Sequence, residues 1–299
     1  MANHHFGEIG DVWKHLPLAE ILALERPRRY WESHAGSALY PLTRSWQREY
    51  GIYYFLDHAS ASPLLASSRY RAVVAGLPTT DGYPSAYPGS AMLALLELGR
   101  AADEYVLCDL DHESIVSLRD GIRSADVGDR AHCVHDDGIA ALWERAATLT
   151  AEEATRTLVH IDPFDPFDAR GRSGLSAVDL CCALAARGCM VLYWYGLETA
   201  DERGWAWRTI APRLRAEARS LWCGEVALAA LHGPTPLPNP GVRGCGVLCV
   251  NISSSAVEAS RNLGSALAAL YHGASLPGGQ SGALDFVSWP DAGHSHCGT

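Results

Sequence analysis

The chain has 299 residues, 48% of them hydrophobic, enough apolar surface for a buried core in one large α/β domain or two small ones. Its 24 basic residues against 34 acidic ones give a net charge of -10, which argues against a broad surface for nucleic-acid phosphates, since such surfaces need clustered positive charge, and leaves room only for a local basic patch. No stretch approaches a membrane-spanning run, and the start, Met1-Ala2-Asn3-His4-His5, lacks a charged region followed by an apolar one, so a soluble cytoplasmic protein is expected.

Asp11 is placed to cap a helix running to about Arg26, in which Trp13, Leu16, Leu18, Ile21, Leu22 and Leu24 give a wide apolar face and Pro27 provides the stop. Lys14, the one lysine of the chain, and His15 fall in its first turn. The helix dipole disfavours cations there, so a negatively charged partner is expected nearby, a solvated lysine being the plainer alternative. Residues 28–32 read as a strand ending in Glu32 and opening through Ser33-His34-Ala35-Gly36-Ser37-Ala38 into a turn of small residues. Such a turn lets a nucleotide-like cofactor lie against the backbone at Gly36. Residues 43–84 lack strand–helix alternation and read as a helical insertion packed through Tyr50, Tyr53, Tyr54, Phe55 and Tyr70. Tyr87-Pro88-Gly89-Ser90 turns into a helix through Leu98, with Ser90 near its amino end.

From residue 103 strands and helices alternate, which signals crossover units and a mostly parallel sheet. Strands 105–108, 131–134 and 157–161 end at Asp109, Asp136-Asp137 and Asp162-Pro163-Phe164-Asp165, with helices over about 111–122 and after Gly138. Helix 175–187, strand 189–195, helix 200–218, strands near 221–230 and 243–251, helix 255–270 and a strand near 284–289 follow. The nine cysteines lie mostly in apolar runs without Cys-x-x-Cys spacing and read as buried reduced thiols. Residues 291–299, with His294, His296 and Cys297, read as a disordered tail rather than a metal site, and no metal is expected.

Four strands ending in acids, at Glu32, Asp109, Asp137 and Asp162, form the decisive pattern. Any one of them is equally a helix cap in a βα loop; the four together are better explained by a bound nucleoside. An acid after the second strand takes ribose hydroxyls, one after the third accepts from an adenine amino group, and one after the fourth faces the reacting centre. That layout points to one Rossmann-like class I S-adenosylmethionine-dependent methyltransferase domain over residues 1–299, with a mostly parallel seven-stranded sheet. The G-x-G-x-x-G fingerprint of nicotinamide enzymes is absent after the first strand.

Along nearly its whole length the sequence resembles the RlmJ-type ribosomal RNA adenine-N6 methyltransferases. Their opening His-Ala-Gly-Asn-x-x-Asp-Val-x-Lys-His is similar to His5 through His15, and their Asp-Thr-His-Ala-Gly-Ala-Gly-x-Tyr to Glu32 through Tyr40. Their Tyr-Pro-Gly-Ser-Pro matches Tyr87 to Ser90 with Ala91 in the last place, and a late glycine–asparagine motif matches Gly241, Gly246 and Asn251. The resemblance implies that Lys14, His15, His34, Ser90, Asp109 and Asp137 line the cofactor pocket, with the amino-terminal segment folded over it.

Where that family has Asp-Pro-Pro-Tyr, this chain has Asp162-Pro163-Phe164-Asp165, so the aromatic clamp on adenine is lost or shifted to Phe164 or Phe167. Asp165 adds a carboxylate suited to a cationic amine or guanidinium. The family's Asn-Pro-Pro becomes Asn251-Ile252-Ser253, which implies a different pocket floor. Tyr193, Trp194 and Tyr195 end the next strand and are candidates to wall the substrate site, although core packing explains them nearly as well. His160, inside its strand, reads as a core histidine. With the acidic net charge, these departures favour a small amino- or guanidino-bearing acceptor over ribosomal RNA, the runner-up; a third reading is a cofactor-binding protein without catalysis. In the favoured reading Asp162 aligns the acceptor nitrogen and is a candidate for taking its proton.

Overall fold

The computed structural model describes residues 5–229, 243–276 and 279–290; Gly241 and the 291–299 tail lie outside them. The main sheet is built from β1 (Arg29–Glu32), β2 (Glu104–Cys108), β3 (Ala131–Val134), β4 (Thr157–Ile161), β5 (Met190–Leu197), β6 (Leu221–Leu228), β7 (Gly244–Val250) and β8 (Leu284–Trp289). Their order across the sheet is β3-β2-β1-β4-β5-β7-β6-β8. The first five run parallel, as helical crossovers require. β7 is antiparallel to both β5 and β6, and β8 pairs antiparallel on the outer side of β6. The fold is α/β and Rossmann-like, and the sheet has eight strands rather than seven, because the strand read near 284–289 joins it as β8 at the edge.

Strand pleating sorts neighbouring residues between two cores, so Tyr30 faces one and Trp31 the other. On the Tyr30 side lie α1 (Ile9–Glu25), α2 (Ser90–Leu98), α3 (His112–Ser124) and α6 (Ser254–Leu270); on the Trp31 side lie α4 (Gly138–Ala146) and α5 (Ala177–Ala186). Burial of Trp13, Leu16, Leu18, Ile21 and Leu22 seats α1 against the sheet, and the Trp13 indole donates to the Gly224 carbonyl at 3.3 Å. The amino cap of α1 is Glu8 rather than Asp11, which sits inside the first turn.

Between β1 and α2, residues 46–75 form short helical turns; Tyr50, Tyr53, Phe55 and Tyr70 are buried there. The continuous helix expected over 200–218 is instead a turn at Ala200–Glu202 and two short helices, Trp205–Thr209 and Ala211–Leu214. Gly204, at φ 71°, and Pro212, which lacks an amide donor, explain the breaks. Among the described residues the cysteines are free thiols, and burial pushes Cys108 and Cys189 up to about 12. Among them, too, no helix is long and apolar enough to cross a membrane.

Candidate active site

β1 and β4 are neighbours in the sheet although β2 and β3 come between them in the chain, and at such a switch the loops leaving the strands diverge. A cavity of about 400 Å³ opens there, lined by His34 and Gly36 after β1, Asp109 and Asp111 after β2, and Asp162, Pro163 and Phe164 after β4. Trp194 of β5, Ser114 of α3, and His5, Glu8, Gly10, Asp11 and Lys14 complete the wall. A smaller recess of about 30 Å³, room for one water-sized group, shares Lys14, His34, Gly36 and Asp162 and adds His15, Tyr40, Tyr87 and Ser90. A larger groove of about 660 Å³ lies over Trp31, Val106 and Val134 on the other face, among arginine–carboxylate pairs, and contains none of the candidate site residues.

The amino-terminal residues are held along the cavity by the segment that follows β1. Phe6 stacks on Tyr40 with ring centroids 4.7 Å apart, and the Arg48 guanidinium lies 3.8 Å over the Phe6 ring. Arg48 also donates to the Phe6 carbonyl at 3.1 Å, and the Ile52 amide donates to the Gly7 carbonyl at 2.9 Å. Gly51 permits this contact, because a Cβ there would overlap the Gly7 carbonyl.

Lys14 is the electrostatic hub. Its ammonium pairs with Asp162 Oδ2 at 2.8 Å and Asp11 Oδ1 at 3.0 Å, and lies 5.4 Å from the centre of the Trp194 ring. Burial disfavours its charge, but the two carboxylates outweigh burial and hold its pKa above the usual lysine value. Burial likewise pushes Asp162 upward, and Lys14, with His160 and His34, overcomes this and leaves Asp162 below the usual carboxylate range. For Asp11 burial wins and its pKa is raised. Glu8 is raised too, chiefly by burial. His34 donates to or accepts from Ser33 Oγ at 2.8 Å through Nδ1, and burial lowers its pKa despite the surrounding acids. His15 is lowered much further, by burial, then Lys14 and His160.

The small-residue turn is fixed by Asp109, whose carboxylate accepts the Gly36 amide at 2.7 Å and the Asp111 amide at 2.8 Å. Gly36 adopts φ 60°, and a Cβ there would overlap the Tyr40 hydroxyl. That hydroxyl accepts the Ser37 amide at 2.8 Å.

Several expected residues stand elsewhere. Glu32 is fully buried and accepts from Tyr30 at 3.0 Å and from Ser90, while its Oε1 lies 2.8 Å from His160 Nδ1; it supports the floor from below rather than reaching the cavity. Asp137 is the amino cap of α4, accepting the Ile139 and Ala140 amides at 3.0 and 3.2 Å, and its other oxygen takes the Arg172 amide at 2.8 Å. Its oxygens serve the helix and a loop, and it lines neither the cavity nor the recess. Tyr193, Trp194 and Tyr195 cannot share a wall because the strand alternates: Trp194 reaches the cavity, while Tyr193 and Tyr195 are buried in the other core. The Tyr195 hydroxyl donates to Glu225 at 2.7 Å. Asp165 is exposed and accepts the Phe167 amide at 2.9 Å, and Phe167 packs against Trp205 with centroids 5.5 Å apart, neither lining the cavity.

Nor does Asn251-Ile252-Ser253 floor the pocket. β7 runs opposite to β5, so Val250 pairs with Val191 at the start of β5, the far edge of the sheet. Asn251 there donates to the Cys189 carbonyl at 2.8 Å. Sequence reasoning had not singled out Glu8, Asp111 and Ser114 as site residues, and had read Asp11 only as a cap. For Asp11 a signal existed: it precedes the lone lysine by three positions, and on a helix that spacing puts both side chains on one face.

No protein-family model matches the sequence, and no curated protein matches it; the RlmJ-type resemblance therefore has no family match behind it. Among solved structures, a Legionella pneumophila protein of the family model DUF519 aligns over 95% of this chain and 97% of its own, with TM-score 0.71 and 20% identity. That likeness is one of fold. A SAM-dependent methyltransferase from Agrobacterium tumefaciens aligns over 84% of this chain and 64% of its own, with TM-score 0.41 and 14% identity. A duf574 family protein from Streptomyces avermitilis gives TM-score 0.41 and 13% identity over 81% of this chain and 82% of its own.

Proposed function

We propose that the protein is an S-adenosylmethionine-dependent methyltransferase that acts on an amino or guanidino nitrogen of a small molecule. The reading rests on one observation: at the strand-switch cavity Asp162 has one carboxylate oxygen held by Lys14, while the other has no hydrogen-bond partner among the described residues. An open acceptor at a fixed position is what aligns an N–H group and aims the nitrogen lone pair. The sheet is consistent with this, since β7 reversed between β5 and β6 departs from the dinucleotide-binding order 3-2-1-4-5-6.

The residues present fit the donor. Gly36 keeps the backbone bare where a side chain would close the turn, and Asp109, anchored by two amides, retains a lone pair on each oxygen for hydroxyl groups. When bound, the donor supplies an electrophilic methyl carbon: the acceptor nitrogen's lone pair forms the N–C bond as the C–S pair returns to sulfur. Asp162, with its pKa lowered, orients the N–H group as a hydrogen-bond acceptor and does not keep the proton. Lys14 holds Asp162 ionised and in place. His34, neutral at pH 7 because burial lowers its pKa, lines the same cavity.

The second reading, adenine N6 in ribosomal RNA, is favoured by the motifs at His5–His15 and Tyr87–Ser90 and opposed by a cavity whose lysine is already shared by two carboxylates. Calorimetric titration with S-adenosylmethionine and S-adenosylhomocysteine tests the donor. Methyl transfer from labelled donor to amines and guanidines, against total RNA, tests the acceptor; labelled RNA with unlabelled amines would reverse the preference, and no binding of either nucleoside would remove the assignment.

A further inference from the structure

We infer, resting on the methyl-transfer reading, that Tyr271 is a positioning residue: through one backbone turn its hydroxyl holds the amino-terminal strap of residues 5–8 closed on the cavity, and so sets the affinity for the donor. Tyr271 follows the last residue of α6, is fully buried, and lines neither the cavity nor the recess. Its hydroxyl donates to two consecutive carbonyls, those of Tyr50 at 2.8 Å and Gly51 at 3.0 Å. The chain leaves helical geometry at Gly51, where φ is -85° and ψ is -109°, and this brings both carbonyls to one donor. The rings of Tyr54 and Tyr50 pack against Tyr271 with centroids 4.5 and 5.0 Å away, which fixes the direction of the hydroxyl.

The same turn meets the strap. The Ile52 amide, next in the chain, donates to the Gly7 carbonyl at 2.9 Å, and a Cβ on Gly51 would overlap that carbonyl and the Glu8 backbone. Gly7, at φ 69°, makes the bend of the strap. Around that bend His5 and Glu8 line the cavity, and Gly10, Asp11 and Lys14 continue its wall into α1. Two hydrogen-bonded steps therefore join a tyrosine outside the cavity to the backbone that walls it: hydroxyl to turn, and turn to strap. Phe6, on Tyr40 and under Arg48, anchors the strap one residue earlier; the Tyr271 turn anchors the bend. A wall ordered before a ligand arrives spares that ligand the cost of ordering it, so the strut acts on affinity. By linkage, a ligand enclosed by the strap steadies the turn in return.

The test uses the full chain and reads two quantities: the dissociation constant for S-adenosylhomocysteine, by calorimetry, and hydrogen exchange at the Ile52 amide. In the wild type, binding is expected to slow exchange at Ile52. Tyr271→Phe removes only the hydroxyl; it is expected to weaken binding about five- to tenfold, the factor for one hydrogen bond, and to speed exchange at Ile52 at least as much. Gly51→Ala breaks the same link from the strap side with Tyr271 intact and is expected to weaken binding to a similar extent; the double variant should then be no worse than Gly51→Ala alone. Tyr54→Phe is the control, since its hydroxyl donates to the Leu270 carbonyl at 3.3 Å, in the same cluster but apart from the turn, and it should leave both quantities unchanged. Wild-type affinity in Tyr271→Phe, an equal loss in Tyr54→Phe, or losses that add in the double variant overturn this inference, while binding by the wild type keeps the methyl-transfer reading. Failure of the wild type to bind either S-adenosylmethionine or S-adenosylhomocysteine overturns both.

Discussion

Lys14, in the first turn of α1, donates to Asp162, just past β4, at 2.8 Å across 148 positions of chain. The contact ties the amino-terminal helix to the loop after β4, and in the proposed reaction it would make Asp162 an orienting group rather than a base.

Asp162→Asn keeps the size of the side chain and removes the charge that Lys14 stabilises. Affinity for S-adenosylhomocysteine is expected to stay within about threefold, while kcat falls by about 10²–10³, the range for losing one oriented electrostatic contact. Calorimetry and initial rates measured together check this; wild-type turnover in the variant excludes the assigned role.

In Lys14→Met two neighbouring carboxylates, Asp11 and Asp162, lose their shared counter-ion. Breaking a buried pair in this way costs about 3–5 kcal/mol, read as a lower denaturation midpoint, and Lys14→Arg is expected to recover part of it. The deficit should shrink on acidification, because protonating either carboxylate relieves the repulsion. A midpoint unchanged at pH 7 would show that the pair contributes little.

His15 and His34 both have pKa values lowered in the folded state, His15 strongly. The unfolded chain therefore binds protons first as pH falls, at about 6.5, so the stability held above that pH is lost on descending towards the folded values. Each group contributes a slope of up to about 1.4 kcal/mol per pH unit inside its window. Chemical denaturation between pH 7.5 and 5.5 should show the decline, and His15→Gln should flatten it. An unchanged slope in that variant would assign the decline to other groups.

Gly36→Ala combines a left-handed backbone with overlap at the Tyr40 hydroxyl. A cost of about 1–3 kcal/mol is expected, with weaker donor binding. Adding Tyr40→Phe removes the obstructing oxygen but not the backbone strain, so it should recover only part of the loss. Complete recovery would locate the whole effect in the overlap.

Much of the fold was legible because parallel strands buried on both faces leave unbroken apolar runs, as in Tyr105-Val106-Leu107-Cys108. The site was legible in part. Four acids at strand ends look alike in sequence, yet Asp109 and Asp162 face the cavity, Glu32 is locked against His160 and Ser90, and Asp137 caps α4. Asp137 was separable in principle, since Gly138 begins a helix at once and an acid in that position is the preferred cap. Glu32 was not, because its partners Ser90 and His160 are distant in the chain. The tyrosines flanking Trp194 were over-assigned by ignoring the pleat, and Asn251 by not reading the direction of β7.

The seat of α1 sets an order of events for the newly made chain. Lys14 is made well before its surroundings: the helix that carries it packs on β7 and α6, formed from residues 244–270, and its strap waits for Gly51 and Ile52. Translation must therefore pass residue 270 before the lysine has its permanent surroundings, and a chain stalled earlier should hold α1 unpacked and protease-sensitive.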